Sequence, residues 1–370
     1  MSATAFIALS GAGLAAASPP ASAPPAGSAY VALGDSYAAG YGLPDPTGKP
    51  VAACGQSARD YPHRVAAALG LQLTDVSCAS ATTADLRAGS SQGAPAQDSA
   101  LSASTRTVTL TIGGNDSGLF SQAFSCVALT ADGPVIAGTD VPDCRSRFVQ
   151  NGVDTLQQEV DGTIRTAIGR AVRAIRSAAP NAVVVVVGYP TIFPDAANTP
   201  AGGCFVPAIT VSTLTGTFPE NSFPFTDTDV RYFHDLQVSL DAATRSAVEQ
   251  QGGTYVSMLE TTAAHSACAK VARYVNGLHL TSGKDVEHVE LDPGALHPNA
   301  AGAAALATAA EQGIRTAYGA RVRGEAPRAL PSEQPPWLLW GTVGVVVAAA
   351  ITAVVLVVRR RHPKDPPLER

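Results

Sequence analysis

Three short polar stretches carry the residues that could do chemistry. Gly34-Asp35-Ser36 follows the apolar run Tyr30-Val31-Ala32-Leu33. Gly113-Gly114-Asn115-Asp116 follows the β-branched run Thr107 to Ile112. His297 stands in Asp292-Pro293-Gly294-Ala295-Leu296-His297-Pro298-Asn299. A serine on a sharp turn after a buried strand presents its hydroxyl beside the first N–H groups of the next helix, where an oxyanion can be stabilised. Serine is a poor nucleophile until a base takes its proton, so Ser36 needs a histidine. Of the seven histidines, His63 and His234 fall in expected helices and read as surface or packing residues. His297 lies on a loop just before the last helix, where it could reach across a sheet edge. Pro298 fits a helix start there, and Asn299 could cap it. The structural alternative is that Asp35 or Ser36 merely caps a helix and His297 merely closes its loop. Asp35 is expected to bond the turn and Asp116 to be structural.

The elements that must position these residues alternate. Strands are expected at Tyr30 to Leu33, Leu71 to Val76, Thr107 to Ile112, Asn181 to Gly188 and Thr254 to Leu259. Helices are expected at Ser57 to Leu69, from Asp85, at Val153 to Ala178, Asp227 to Gln251 and Ala300 to Tyr318. Phe120 to Phe148 reads as loop, and Thr191 to Thr226 as an irregular insert that could shape a substrate pocket. Five consecutive valines fit a strand buried on both faces. The alternation is that of an α/β domain with a mainly parallel sheet. Ligands gather at the carboxyl ends of such strands, where Gly34 to Ser36, Ser77 to Thr83 and Gly113 to Asp116 all fall.

The chain has 370 residues, 46% hydrophobic and 15% charged, with net charge -5. That composition suits a globular domain with apolar additions, and a nucleic-acid partner is not expected. Six cysteines, none in a C-x-x-C pair, suggest disulfides formed in an oxidising compartment rather than a metal site. They allow ~15 connectivities; sequential pairing (Cys54-Cys78, Cys126-Cys144, Cys204-Cys268) closes the shortest loops. His265 and Cys268 have metal-like spacing, but a disulfide is favoured for Cys268. No metal site or cofactor is expected. Residues 1–26 resemble a signal peptide with an apolar stretch at Ala3 to Ala17 and small residues after it, although no Lys or Arg precedes Lys49. Residues 27–318 form the main domain and 319–336 a Pro-rich linker. Residues 337–358 are apolar and uncharged, with Trp337 and Trp340 at one end and Arg359, Arg360 and Arg361 after the other. As a helix they would run ~33 Å, enough to cross a bilayer. Basic residues stay inside, so 359–370 would be a cytoplasmic tail and the main domain would face outward.

Gly34-Asp35-Ser36-Tyr37, Gly113-Gly114-Asn115-Asp116 and His297-Pro298-Asn299, in that order, resemble the SGNH (GDSL-type) hydrolases. More narrowly, the chain is similar to the secreted actinobacterial esterases and lipases of that family with six cysteines, over about Tyr30 to Tyr318. The resemblance implies a three-layer α/β/α fold, Ser36 as nucleophile and His297 as general base. It implies an oxyanion hole from the Ser36 N–H, a backbone N–H of the second block and the Asn115 amide, together with sequential disulfides. The second-block glycine matches Ser80 here. The aspartate often found three residues before the histidine matches Gly294, so the expected partner of His297 is the Gly294 carbonyl or the Asp292 carboxylate. The expected activity is hydrolysis of carboxylic ester or lipid substrates by a monomer tethered to the membrane. The rivals are a polysaccharide O-deacetylase with the same site and a non-catalytic surface binding protein on a degenerate scaffold.

Overall fold

The computed structural model describes residues 23–137, 141–282 and 289–325. Its centre is a sheet of β1 (Ala29–Gly34), β2 (Gln72–Asp75), β3 (Thr107–Thr111), β4 (Val183–Val187) and β5 (Thr254–Val256), in the order β2-β1-β3-β4-β5. Every neighbouring pair is parallel, with Tyr30 opposite Leu73 on one side and Thr107 on the other. The helices that concern the site are α1 (Ser36–Ala39), α2 (Tyr61–Leu69), α3 (Leu119–Phe124), α4 (Arg165–Ala178), α5 (Asp227–Gln250) and α6 (Ala300–Val322).

Strand side chains alternate between two faces. Tyr30, Ala32, Val185 and Val187 pack with Val65 of α2 and Leu306, Ala310 and Ile314 of α6. Val31, Leu33, Val108, Leu110, Val184 and Val186 face the opposite way, into the core that holds Ile168 and Val172 of α4 and Val248 of α5. Both faces of the central strands are therefore dry, which fits the continuous apolar runs of β1 and β4. The result is the expected three-layer α/β/α fold. The strand order doubles back between β1 and β3, and a crevice opens beyond the carboxyl ends of strands at such a point.

Local chemistry sets the helix starts. Asp60 caps α2, accepting the His63 N–H at 2.8 Å, with Pro62 in the first turn. The Asn299 side chain accepts the N–H groups of Ala301 and Gly302 at 3.0 Å each and so starts α6. The expected boundaries shift in several places. The first residues of the segment expected as a helix from Ser57 make a turn, because the cap is Asp60. Val153–Asp154 pairs antiparallel with Val149–Gln150, and helix begins at Thr155, capped by Asp154, then passes through a π-turn at Val160–Ile164. The Phe120 to Phe148 segment contains two short helices, α3 and Cys144–Phe148. α6 continues to Val322, four residues beyond Tyr318.

The cysteines pair in sequence: Cys54 with Cys78, Cys126 with Cys144 and Cys204 with Cys268. His265 stacks on Tyr274 and faces the Ala272 carbonyl. No described helix is long and apolar enough to cross a membrane. The expected transmembrane segment 337–358, the basic tail and nearly all of the signal-like start lie outside the described residues.

Candidate active site

The turn after β1 is built around Gly34 and Asp35. Gly34 has φ +137°, and a Cβ there would lie 2.4 Å from the Thr111 carbonyl of β3, so only glycine fits. The Gln97 side chain bonds both the Gly34 N–H (2.7 Å) and its carbonyl (2.9 Å), fixing the strand end. Asp35 caps α1, its Oδ1 accepting the Tyr37 N–H at 3.0 Å. Ser36 then occupies the first helical position, where its N–H has no intrahelical acceptor.

His297 Nε2 lies 2.8 Å from Ser36 Oγ, although 261 residues separate them. Its Nδ1 lies 2.7 Å from the Ala295 carbonyl. A carbonyl can only accept, so Nδ1 carries the hydrogen and Nε2 accepts from the serine hydroxyl. Sequence reasoning pointed to Gly294 or Asp292 as the partner, and both are engaged elsewhere. The Gly294 carbonyl accepts the His297 N–H and the Asn276 amide, each at 3.1 Å. Asp292 Oδ1 accepts the Gly294 N–H at 2.8 Å and so shapes the loop instead. The chain turns at Leu296, which is held at φ +55°, and the Tyr37 hydroxyl donates to the Leu296 carbonyl. That turn puts the Ala295 carbonyl against the ring. Burial pushes the His297 imidazole down to about 4, against the opposing effect of the Ala295 carbonyl. At neutral pH the ring is an uncharged acceptor, as a base for serine must be.

Asn115, at the carboxyl end of β3, donates one amide N–H to the Ala81 carbonyl at 3.1 Å. Asp116 accepts the Thr83 N–H at 3.0 Å and the Thr83 hydroxyl, which is the structural role expected of it. These bonds join the turn after β3 to the turn that holds Ser80. Ser80 is exposed, sits at φ +63° and makes no N–H hydrogen bond among the described residues. The Cys54-Cys78 disulfide anchors this turn. The Cys78 N–H bonds the Gly34 carbonyl at 3.0 Å, and the Ala79 N–H bonds the Cys54 carbonyl at 3.1 Å.

Sequence reasoning missed Tyr189. Its hydroxyl donates to Asp35 Oδ2 and accepts the Gly114 N–H at 2.8 Å, so one phenol clamps the serine turn to the asparagine turn. Burial pushes the Asp35 carboxyl up to about 7, opposed by the Tyr189 bond. The available signal was position, since Tyr189 follows the carboxyl end of the five-valine strand. Gln97 and Ala295 offered no such signal. Beside His297, Tyr37, Phe120, Ile192, Phe193, Leu236 and Leu240 line an apolar cavity of about 70 Å³. Phe120 approaches His297 edge-on, with ring centroids 5.4 Å apart. The insert expected to shape a pocket contributes its first residues, Ile192 and Phe193; α3 and α5 supply most of the rest.

A serine hydroxyl on a neutral histidine, unsatisfied N–H groups nearby and an apolar cavity, all at the carboxyl edge of a parallel sheet, are the parts of a serine hydrolase. The sequence profile of the GDSL-like lipase/acylhydrolase family matches residues 32–305, and the chain belongs to that family. It is a carboxylic ester hydrolase of the lipase/esterase type. Lipase 2 of Streptomyces coelicolor is 35% identical over 241 residues, covering 65% of this chain and 72% of that protein. The crystal structure of an extracellular lipase from Streptomyces rimosus superposes with a TM-score of 0.54 at 22% identity, covering 81% of this chain and 99% of that one. A phospholipase A1 from Streptomyces albidoflavus superposes with a TM-score of 0.53 at 23% identity, over 79% and 98% of the two chains. These two likenesses concern the fold.

Proposed function

We propose that this chain hydrolyses carboxylic esters of apolar acyl groups through an acyl-enzyme on Ser36. His297 Nε2 takes the Ser36 proton as Oγ attacks the ester carbonyl. The Ala295 carbonyl holds the imidazole in the right tautomer, part of the work that a carboxylate does in a full triad. The Ser36 N–H, the Ser80 N–H and the second N–H of the Asn115 amide face the developing oxyanion. His297 then returns the proton to the leaving alcohol, and water repeats the sequence to free the acid. The observation that carries this reading is the Ser36 Oγ to His297 Nε2 approach at 2.8 Å, with Nδ1 fixed by a carbonyl. The apolar cavity beside the ring favours an acyl chain over the carbohydrate side of an acetylated sugar. The domain works as a monomer on the outer face of the cell membrane, tethered by residues 337–358; the uncharged apolar run with tryptophans before it and arginines after it supports that placement. Ser36→Ala should lower kcat on p-nitrophenyl butyrate by at least ~10³-fold with the fold intact. Full activity in that variant would refute the mechanism.

A further inference from the structure

Asp60, His63 and Asp75 present ligand atoms that all lie within 4.8 Å of one another, outside the catalytic crevice. Asp60 precedes α2, His63 is in its first turn and Asp75 ends β2. One oxygen of each carboxylate is satisfied. Asp60 Oδ1 accepts the His63 N–H and faces His63 Nδ1, both at 2.8 Å. Asp75 Oδ1 accepts the Ser77 N–H at 2.9 Å and the Ser77 hydroxyl at 2.6 Å. The other oxygens, Asp60 Oδ2 and Asp75 Oδ2, are buried with no hydrogen-bond partner. The two carboxylate side chains are 0% and 3% exposed, whereas His63 is 33% exposed and opens the cluster to solvent. Among the described residues no Lys or Arg forms an ion pair with either aspartate.

We propose that Asp60, His63 and Asp75 bind a divalent transition-metal ion of the zinc class. Two buried carboxylate oxygens without a hydrogen-bond partner this close together are satisfied either by a shared proton or by a cation, and the imidazole beside them favours the cation. The site offers one imidazole nitrogen and carboxylate oxygens. That set suits zinc, whereas calcium wants ~6–8 oxygen ligands. Around a tetrahedral ion with ligands at ~2.1 Å, the ligands stand ~3.4 Å apart; His63 Nδ1 and Asp75 Oδ2 are 3.8 Å apart. His63 Nδ1 would give up its contact with Asp60 Oδ1, and water would complete the shell from the exposed side. The ion would fasten the start of α2 to the end of β2. Both sit behind the serine turn: a Cβ on Gly40, the cap of α1, would lie 2.7 Å from Asp60 Cβ. Its role would be to stabilise that turn, apart from the chemistry.

The test is calorimetric titration of the chelator-treated full chain with zinc chloride, together with thermal melts. The expected result is one zinc per chain with Kd below about 10 μM, and a melting temperature raised by about 5 °C at 100-fold Kd. His63→Ala removes a ring that is one-third exposed and leaves no core cavity. It should bind at least 100-fold more weakly and lose the rise in melting temperature. Asp75→Asn should do the same and serves as a second variant. Absence of zinc binding by the wild type at 1 mM would mean that the carboxylates share a proton, and would overturn the proposal. Binding unchanged in His63→Ala would place the ion elsewhere, and would overturn it equally.

Discussion

In the proposed mechanism His297 is a buried base whose Nδ1 is held by a carbonyl in place of a carboxylate. An exposed imidazole titrates near 6.5, and burial brings this one to about 4. The acid limb of kcat/KM on a neutral ester should therefore have its midpoint near pH 4, measured between pH 3 and 9; a midpoint at or above 6.5 would contradict the burial argument. The same shift acts on stability. Between pH 6.5 and 4 the unfolded chain holds the extra proton, so the contribution of His297 is intact above 6.5 and is lost as pH falls through that window. Tyr189 positions the site without touching the reacting atoms. Tyr189→Phe leaves the buried Asp35 Oδ2 and the Gly114 N–H each short of a partner, at about 1–3 kcal/mol apiece. We expect kcat to fall by ~10-fold or more with KM nearly unchanged, because the serine and asparagine turns lose their common clamp. A rise in KM at constant kcat would assign Tyr189 to substrate binding instead.

The turns carry as much of the function as the strands do. Ser80 occupies a left-handed conformation that favours glycine, at φ +63°. Ser80→Gly should raise stability by about 1 kcal/mol, seen as ~2–4 °C in melting temperature, with activity retained, since the donor proposed for it is a backbone N–H. Loss of activity in that variant would assign a role to the Ser80 side chain. Removing Cys54-Cys78 frees a loop whose ends are 24 residues apart and should cost about 3–4 kcal/mol. Activity should fall with it, because the disulfide anchors the Ser80 turn. Much of this was legible in the sequence. The strand ends at Gly34 and Gly113 were readable from apolar runs broken by glycine, and the start of α6 from Asn299. The partner of His297 was not, because it depends on the left-handed turn at Leu296, which no local propensity favours. α2 starts at Tyr61 rather than at Ser57 because Asp60 caps it. Tyr189 could be suspected from its place beyond β4 but not assigned a partner, since its contacts with Asp35 and Gly114 are long-range.

At the scale of the whole molecule, the strand order β2-β1-β3-β4-β5 brings residues 261 positions apart into contact. Periodicity foretold the α/β class, but register and order arise from packing of both sheet faces and are not written in any one segment. The cavity between α3 and α5 predicts selectivity. Each buried methylene is worth about 0.8 kcal/mol, so kcat/KM should rise ~4-fold per carbon along a p-nitrophenyl ester series until the cavity fills. Leu236→Trp should move that break to shorter chains. The central claim, that Ser36 is the nucleophile activated by His297, is tested most directly by a fluorophosphonate probe with peptide mapping of the adduct. A single adduct on the peptide containing Ser36 is predicted, absent in Ser36→Ala and formed at least ~10³-fold more slowly in His297→Ala. Labelling of a different serine, or undiminished labelling in Ser36→Ala, would contradict the account.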